Sequence, residues 1–305
     1  METVIEISYG LKEEYTVDAH NKKHGLYSKS FVDGHTYYTI EYSHGKKHGK
    51  EVEYFSDMSL KSECFWIYDK KHGLEKHWYF GGQLREQSVY VNGKQNGLVK
   101  EWYKNGTLSS IRTYINGKIE GIYQCWNEEG TIQSTALFLD GKRNGPEYHF
   151  RENGSMSMSM EYKDHKRHGK VNDWYPNGNI MSEWTCKNDK IDGLLREWHQ
   201  NGQLAKESPY TNGVPKGLQR EWYSNGQLRK EGIVNCITNH GLHRLWHVSG
   251  KLSRQAFYKR GEIVGGIQVW GHRGNPLPPI PYKGRLDIDE VPYYSRLRSE
   301  ESDTV

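Results

Sequence analysis

Fifteen histidines are spread over the 305 residues, and five of them, His24, His48, His72, His168 and His240, stand directly before a glycine of one series spaced 24 residues apart. A repeated imidazole suggests transition-metal ligation, since His suits zinc, copper and nickel. The spacing argues against a ladder of such sites. With one histidine per hairpin, successive rings stand two strands apart, about 10 Å. Zinc needs each nitrogen at about 2 Å. The set therefore reads as turn histidines along a sheet rim, with no metal site expected. Cys64, Cys125, Cys186 and Cys236 form no CxxC pair, so they read as plain thiols in a reducing compartment. There is no phosphate-cradling glycine loop, no G-x-S-x-G elbow and no H-E-x-x-H. The adjacent acids Glu128-Glu129 and Glu300-Glu301 have no supporting constellation. No catalytic residue and no cofactor are expected, because a catalytic site needs groups that converge at one place.

Two other sets could serve in recognition. Lys46, Lys47, Lys70, Lys71, Lys94, Lys118, Lys142, Arg143, Lys166 and Arg167 recur just before the same glycines. Lined along one hairpin edge, they would meet phosphates, acidic lipid heads or an acidic protein; the alternative is solvated turn lysines. With 42 bases against 38 acids the chain is only weakly basic. Nucleic acid is not expected as a partner, since no reading module accompanies the charge. Tyr79, Tyr103, Tyr175 and Tyr223 recur beside Glu101, Glu197 and Glu221. They read either as a contact face, for which Tyr is favoured, or as cross-strand pairs that stabilise a sheet.

The elements that carry these residues follow from one period. Gly25, Gly49, Gly73, Gly97, Gly121, Gly145, Gly169, Gly193, Gly217, Gly241 and Gly265 are spaced 24 apart without insertion. Such a period means an array of small supersecondary units. Counted from that glycine, an aromatic comes five residues on (Trp102, Trp222), an aliphatic eleven on (Leu108) and an aromatic seventeen on (Tyr114). Asn-Gly pairs such as Asn105-Gly106 and Asn116-Gly117 cut each unit twice, a strong hairpin signal because both residues tolerate positive φ. A three-residue loop, Lys104-Asn105-Gly106, would pair Trp102 with Leu108 on one face and place Gly106 in the left-handed position. Odd spacing puts Leu98, Trp102, Leu108 and Tyr114 on that face and the Tyr/Glu set on the other. The fold class is all-β: an elongated single-layer antiparallel sheet of tandem 24-residue hairpins, with Gly97, Trp102, Gly106, Leu108, Tyr114, Gly121 and Trp222 as structural positions.

The pattern G-L-x-x-E-W-Y-x-N-G-x-L, followed by Y-x-N-G-K-x-x-G, resembles the MORN repeat in its variant form, over residues 25 to about 275. Such repeats occur in bacterial proteins, some labelled antitoxin-like, and in large DNA viruses of amoebae. The resemblance implies a non-catalytic scaffold that associates with protein through a long sheet surface, and a structural part in a large viral particle. Its alternatives are a peripheral module on acidic phospholipid and an antitoxin-like binding protein. Met58, Cys186, Asp69, His165 and Asp189 depart from the pattern and read as local turn changes that keep the register.

Residues 1–24 read as a degenerate capping repeat, residues 25–275 as about eleven repeats, and residues 276–305 as a Pro-rich extended tail. Asn275-Pro276-Leu277-Pro278-Pro279-Ile280-Pro281 reads as polyproline II. No stretch approaches the ~18 apolar residues of a spanning helix, and no leader is recognised. An intracellular, cytoplasmic setting is expected, or a virus particle assembled in host cytoplasm.

Overall fold

A computed structural model describes residues 1–290. Tyr293-Tyr294, Glu300-Glu301 and Asp303-Thr304-Val305 lie outside the described residues. Among the described residues every element is a strand, from Glu2–Ser8 to Pro276–Ile280, and the hairpin strands pair antiparallel, as Glu2–Ser8 does with Leu11–Val17, Gly97–Trp102 with Leu108–Ile115 and Glu262–Trp270 with Pro276–Ile280. No helix is long and apolar enough to cross a membrane, which says nothing of β-barrels. The strands form two compact units. One comprises Met1–Met156 with Tyr162–His165, and the other comprises Ser157–Glu161 with the described residues from Lys166 onward.

One repeat shows why the sequence folds this way. Strand Gly97–Trp102 turns into Leu108–Ile115, which turns into Lys118–Trp126. Trp102 lies opposite Leu108, so the loop holds three residues beyond the Tyr103/Thr107 pair. Gly106 closes that loop at φ 90°. Ile115 lies opposite Lys118, so the second turn is the two-residue Asn116-Gly117, both at positive φ. This is the geometry that matches the twist of the flanking strands. The departures conform. Met58, Asp69, His165 and Asp189 take φ between 66° and 68° where other units carry Gly, and the Tyr54↔Leu60 pairing survives.

Two expectations are corrected by the register. Pairing runs Gly97↔Tyr114, Val99↔Arg112 and Glu101↔Ser110, then slips to Trp102↔Leu108. Ser109 is the extra residue, a bulge that breaks strict alternation. Trp102 and Leu108 therefore share a side as expected, but Glu101 lies with Val99, Arg112 and Tyr114, while Leu98 points the other way. The second correction concerns the neighbourhood of the histidines read from sequence as turn residues: the repeat glycines that follow them sit within strands. Gly97 has φ 132°, and a Cβ there would lie 3.2 Å from that of Val89 in the preceding repeat. Gly49, Gly145 and Gly217 are covered in the same way by Glu41, Leu137 and Pro209.

The buried row is not the Trp row. The Trp side chains are half-buried, whereas Ile40, Val99, Val171 and Ile267 are fully buried. These belong to a row two residues after each repeat glycine and its partner fifteen after it. In the first unit the row runs Tyr27↔Ile40↔Glu51↔Cys64, then Glu75↔Ser88, Val99↔Arg112 and Tyr123↔Ala136↔Glu147. In the second it runs Val171↔Trp184, Leu195↔Ser208, Gln219↔Gly232 and His243↔Ala256↔Ile267↔Ile280. The face that holds this row is called the inner face below, and the opposite one the outer face. Pro276–Ile280, read from sequence as polyproline II, is instead the last strand, paired to Glu262–Trp270. Ile280 and Ile288 join Tyr258, Ile263, Ile267 and Val269 in a closed apolar cluster, and that burial fixes the segment.

Candidate interaction surface

On the inner face of the first unit, charge is drawn inside and neutralised. Glu51 accepts from Lys47 Nζ at 2.8 Å, Trp66 Nε1 at 2.8 Å, Cys64 Sγ at 3.2 Å and the Tyr38 hydroxyl. Burial alone would raise this carboxyl; the donors hold it below the usual range. Burial, with the Glu51 carboxylate beside it, pushes the Cys64 thiol up to about 12, so it is a poor nucleophile. Lys47 and Lys71 also lie over the Trp66 ring, at 4.6 and 5.8 Å, and Arg143 over Tyr162 at 5.3 Å, as cation–π contact favours. Glu101 accepts from Arg112 at 2.6 Å and from Ser110 at 2.8 Å, and Arg112 holds its carboxyl below the ordinary value.

The ten bases read from sequence as one edge thus divide. Lys46, Lys70, Lys94, Lys118, Lys142 and Lys166 are exposed at the turns. Lys47, Lys71 and Arg143 turn onto the inner face, where Lys71 meets Glu75 and Arg143 meets Glu147. Arg167 is half-buried and its backbone N–H donates to Asp189. The edge is also interrupted by acids, because Lys118 pairs with Asp140 at 2.6 Å and Lys142 with Asp164 at 3.5 Å.

The tyrosines are committed as well. Tyr79, Tyr103, Tyr175 and Tyr223 donate their hydroxyls to the carbonyls of Trp102, Trp126, Trp198 and Trp246, one repeat on, at 2.8–3.0 Å. Asn105, Asn177, Asn201 and Asn225 bridge repeats beside them in the same manner. Glu221 binds Arg229 at 2.8 Å, and Glu197 stands opposite Lys206. The Tyr and Glu positions do not form a common unpaired face.

What remains open to solvent is the outer face. Leu74↔Val89, Leu98↔Thr113 and Ile122↔Leu137 are direct cross-strand pairs in the first unit. Leu218↔Ile233 and Leu242↔Phe257 are their counterparts in the second. Ile122 is 60 % exposed, Ile233 44 % and Phe257 52 %. Beside the second stripe runs an ion-pair ladder that the sequence reading missed. Arg196 joins Glu183 at 3.1 Å and Glu207 at 2.9 Å, Arg220 reaches Glu207 and Glu231, and Arg244 closes on Glu231 at 3.0 Å. Its signal was present: a base three residues and an acid fourteen residues after successive repeat glycines.

Among the ladder histidines, His48, His72 and His168 each bury an Nδ1 with no hydrogen-bond partner among the described residues. A group of metal-binding size forms where Asp18, His24 and His44 meet.

Comparison with known proteins fits this geometry. A family model described as a MORN repeat variant matches residues 71–92, 95–116, 167–188, 191–212 and 215–234. The chain carries variant MORN repeats. No curated protein matches it. Among solved structures, a crystal structure of TarM is 16 % identical over 38 % of this chain and 20 % of its own, with a TM-score of 0.21. That of TcdB2-TccC3 is 9 % identical over 88 % of this chain and 18 % of its own, with a TM-score of 0.18. The chain spans about a fifth of the length of these structures. The MORN repeats leave partner and setting to be argued from the surface.

Proposed function

We propose that this MORN-repeat chain is a non-catalytic scaffold that binds a protein partner through the outer face of its sheet. The observation that carries this is the pairing of exposed aliphatic side chains there, Leu98 and Ile122 in one unit and Leu218, Ile233 and Leu242 in the other. Contiguous exposed apolar area marks an interaction site. The four tyrosines, Glu101, Glu221, and Lys118 and Lys142 already have partners within the chain. The Arg196–Glu231 ladder beside the second stripe offers both signs of charge, which suits a polar rim around an apolar centre. A protein fits that combination better than acidic phospholipid, since the exposed lysines are partly neutralised by Asp140 and Asp164. A part in a viral particle, an antitoxin-like role and an intracellular setting rest on the sequence reading alone and do not alter the choice of surface.

The test is cross-linking of native material with wild type and with Leu218→Lys and Ile233→Lys, both at exposed positions. Protein cross-links should fall in the variants while thermal stability holds. Cross-links that persist in both variants would overturn the reading. So would salt-sensitive sedimentation with anionic vesicles that is lost when Lys46, Lys70 and Lys94 become Gln, which would move the function to the edge.

A further inference from the structure

The histidine ladder cannot bind metal by itself, but at one point it is joined by two residues that break the repeat. Nineteen residues after the repeat glycine the units carry Tyr68, Asn92, Asn116, Asp140, Asp164, Asn188, Asn212, Cys236 and Arg260, and His44 only in the first. Its ring lies against His24, centroids 4.8 Å apart and planes at 59°. Asp18, from the turn before the first repeat, brings a carboxylate to the same place. One ligand atom from each of the three lies within 4.8 Å of the others.

We propose that Asp18, His24 and His44 form a binding site for a single divalent transition-metal ion of the zinc class. Two imidazoles and one carboxylate are a donor set that zinc takes readily, with a fourth tetrahedral position left for water. The carboxylate is already aimed. Asp18 Oδ1 accepts the backbone N–H groups of His20 at 2.9 Å and Lys22 at 3.1 Å. This leaves Oδ2 beside His44 Nδ1 at 2.8 Å. Such outer bonds fix a ligand's orientation and are part of a working site. On binding, the ion takes the place of the proton between His44 Nδ1 and Asp18 Oδ2, and neutral His44 carries its proton on Nε2 instead. The next rung shows why the site is single. His48 stacks on Tyr68 at 4.6 Å, and Asp69 is occupied by the Lys47 N–H at 2.9 Å. Asp18 is mostly covered while His44 is 68 % exposed, so the ion enters from the His44 side.

Calorimetric titration of the full chain with zinc chloride tests this, with cobalt absorption as a second readout of tetrahedral nitrogen–oxygen ligation. One equivalent should bind. His44→Ala and Asp18→Asn should each weaken binding by at least about tenfold, whereas His48→Ala and His72→Ala should leave it unchanged. Zinc should also raise the melting temperature of wild type and not of His44→Ala, as mass action requires. His44 is exposed, so its variant keeps the fold, and circular dichroism checks that. Absence of binding by wild type, or equal binding by wild type, His44→Ala and Asp18→Asn, would overturn the proposal.

Discussion

At Glu75 a carboxylate lies almost out of solvent, held by His77 at 3.1 Å and by Lys71. Burial pushes its pKa up, but the hydrogen bonds of His77 and Lys71 and the charge of both outweigh it and hold it at about 2. A folded pKa below the unfolded value contributes stability above the unfolded pKa, near 4.5, and loses it as pH falls toward 2. Glu75→Gln should therefore cost on the order of 2 kcal/mol at neutral pH. The gap from wild type should close in melts taken at successively lower pH between 4.5 and 2. His243 gives the opposite sensitivity. It is 2 % exposed, and its Nε2 meets the Ile233 carbonyl at 2.9 Å. Burial lowers its pKa from the ordinary 6.5, so stability present above that value is lost as pH falls below it, because only the unfolded chain takes up the proton. Glu221, Lys230 and Asp287 line the same cavity of 140 Å³. His243→Gln should flatten the fall in melting temperature between pH 7 and pH 5.5. The imidazole fills the space above Gly232, where an added Cβ would lie 2.1 Å from Nδ1. Gly232→Ala should accordingly cost about 1–3 kcal/mol by overpacking, read from chemical denaturation.

Between elements, the coupling runs through groups that repeat. Tyr103 ties its loop to the next hairpin through the Trp126 carbonyl at 2.8 Å. Tyr103→Phe should cost about 1 kcal/mol. Hydrogen exchange should show the loss in both hairpins that the bond joins and leave those several repeats away unchanged, because stability in an array is a sum of neighbour terms. The elements were legible for a related reason. Asn116-Gly117 and Lys104-Asn105-Gly106 constrain φ locally, and local chemistry repeats visibly, so turn type and the Trp102/Leu108 pairing could be read from sequence. The core row could not. Its members complement one another in pairs, Tyr123 with Ala136, Trp184 with Val171, Gln219 with Gly232. A large residue in one repeat answers a small one across the strand, and no single residue type recurs to mark the position. Ser109 carries no signature of a bulge, yet it decides that Tyr114 lies with Glu101 on the inner face and not with Leu98 on the outer one.

At the scale of the whole chain, a sheet built by adding hairpins has to end, and an open strand edge invites further pairing. The C-terminal end meets this with proline. Pro276, Pro278 and Pro279 leave Pro276–Ile280 with few N–H groups to offer a further strand, which suits an edge strand. The following residues fold back, so that Ile288 is fully buried with Tyr258, Ile263 and Ile267. Lys230 grips Asp287 at 2.7 Å and Asp289 at 3.3 Å, and Arg229 reaches Asp289 at 3.3 Å. Among the described residues this is the one place where an apolar cluster closes on itself rather than passing to the next repeat. Ile288→Asp places a charge in that cluster and should cost on the order of 3 kcal/mol. Since neighbour terms carry the loss, hydrogen-exchange protection should collapse in Leu252–Lys259 and Glu262–Trp270. Gly97–Trp102 and Leu108–Ile115 should remain protected at wild-type levels. Uniform loss across both units would mean that the array unfolds as one cooperative body, and the nearest-neighbour account of its stability would fail.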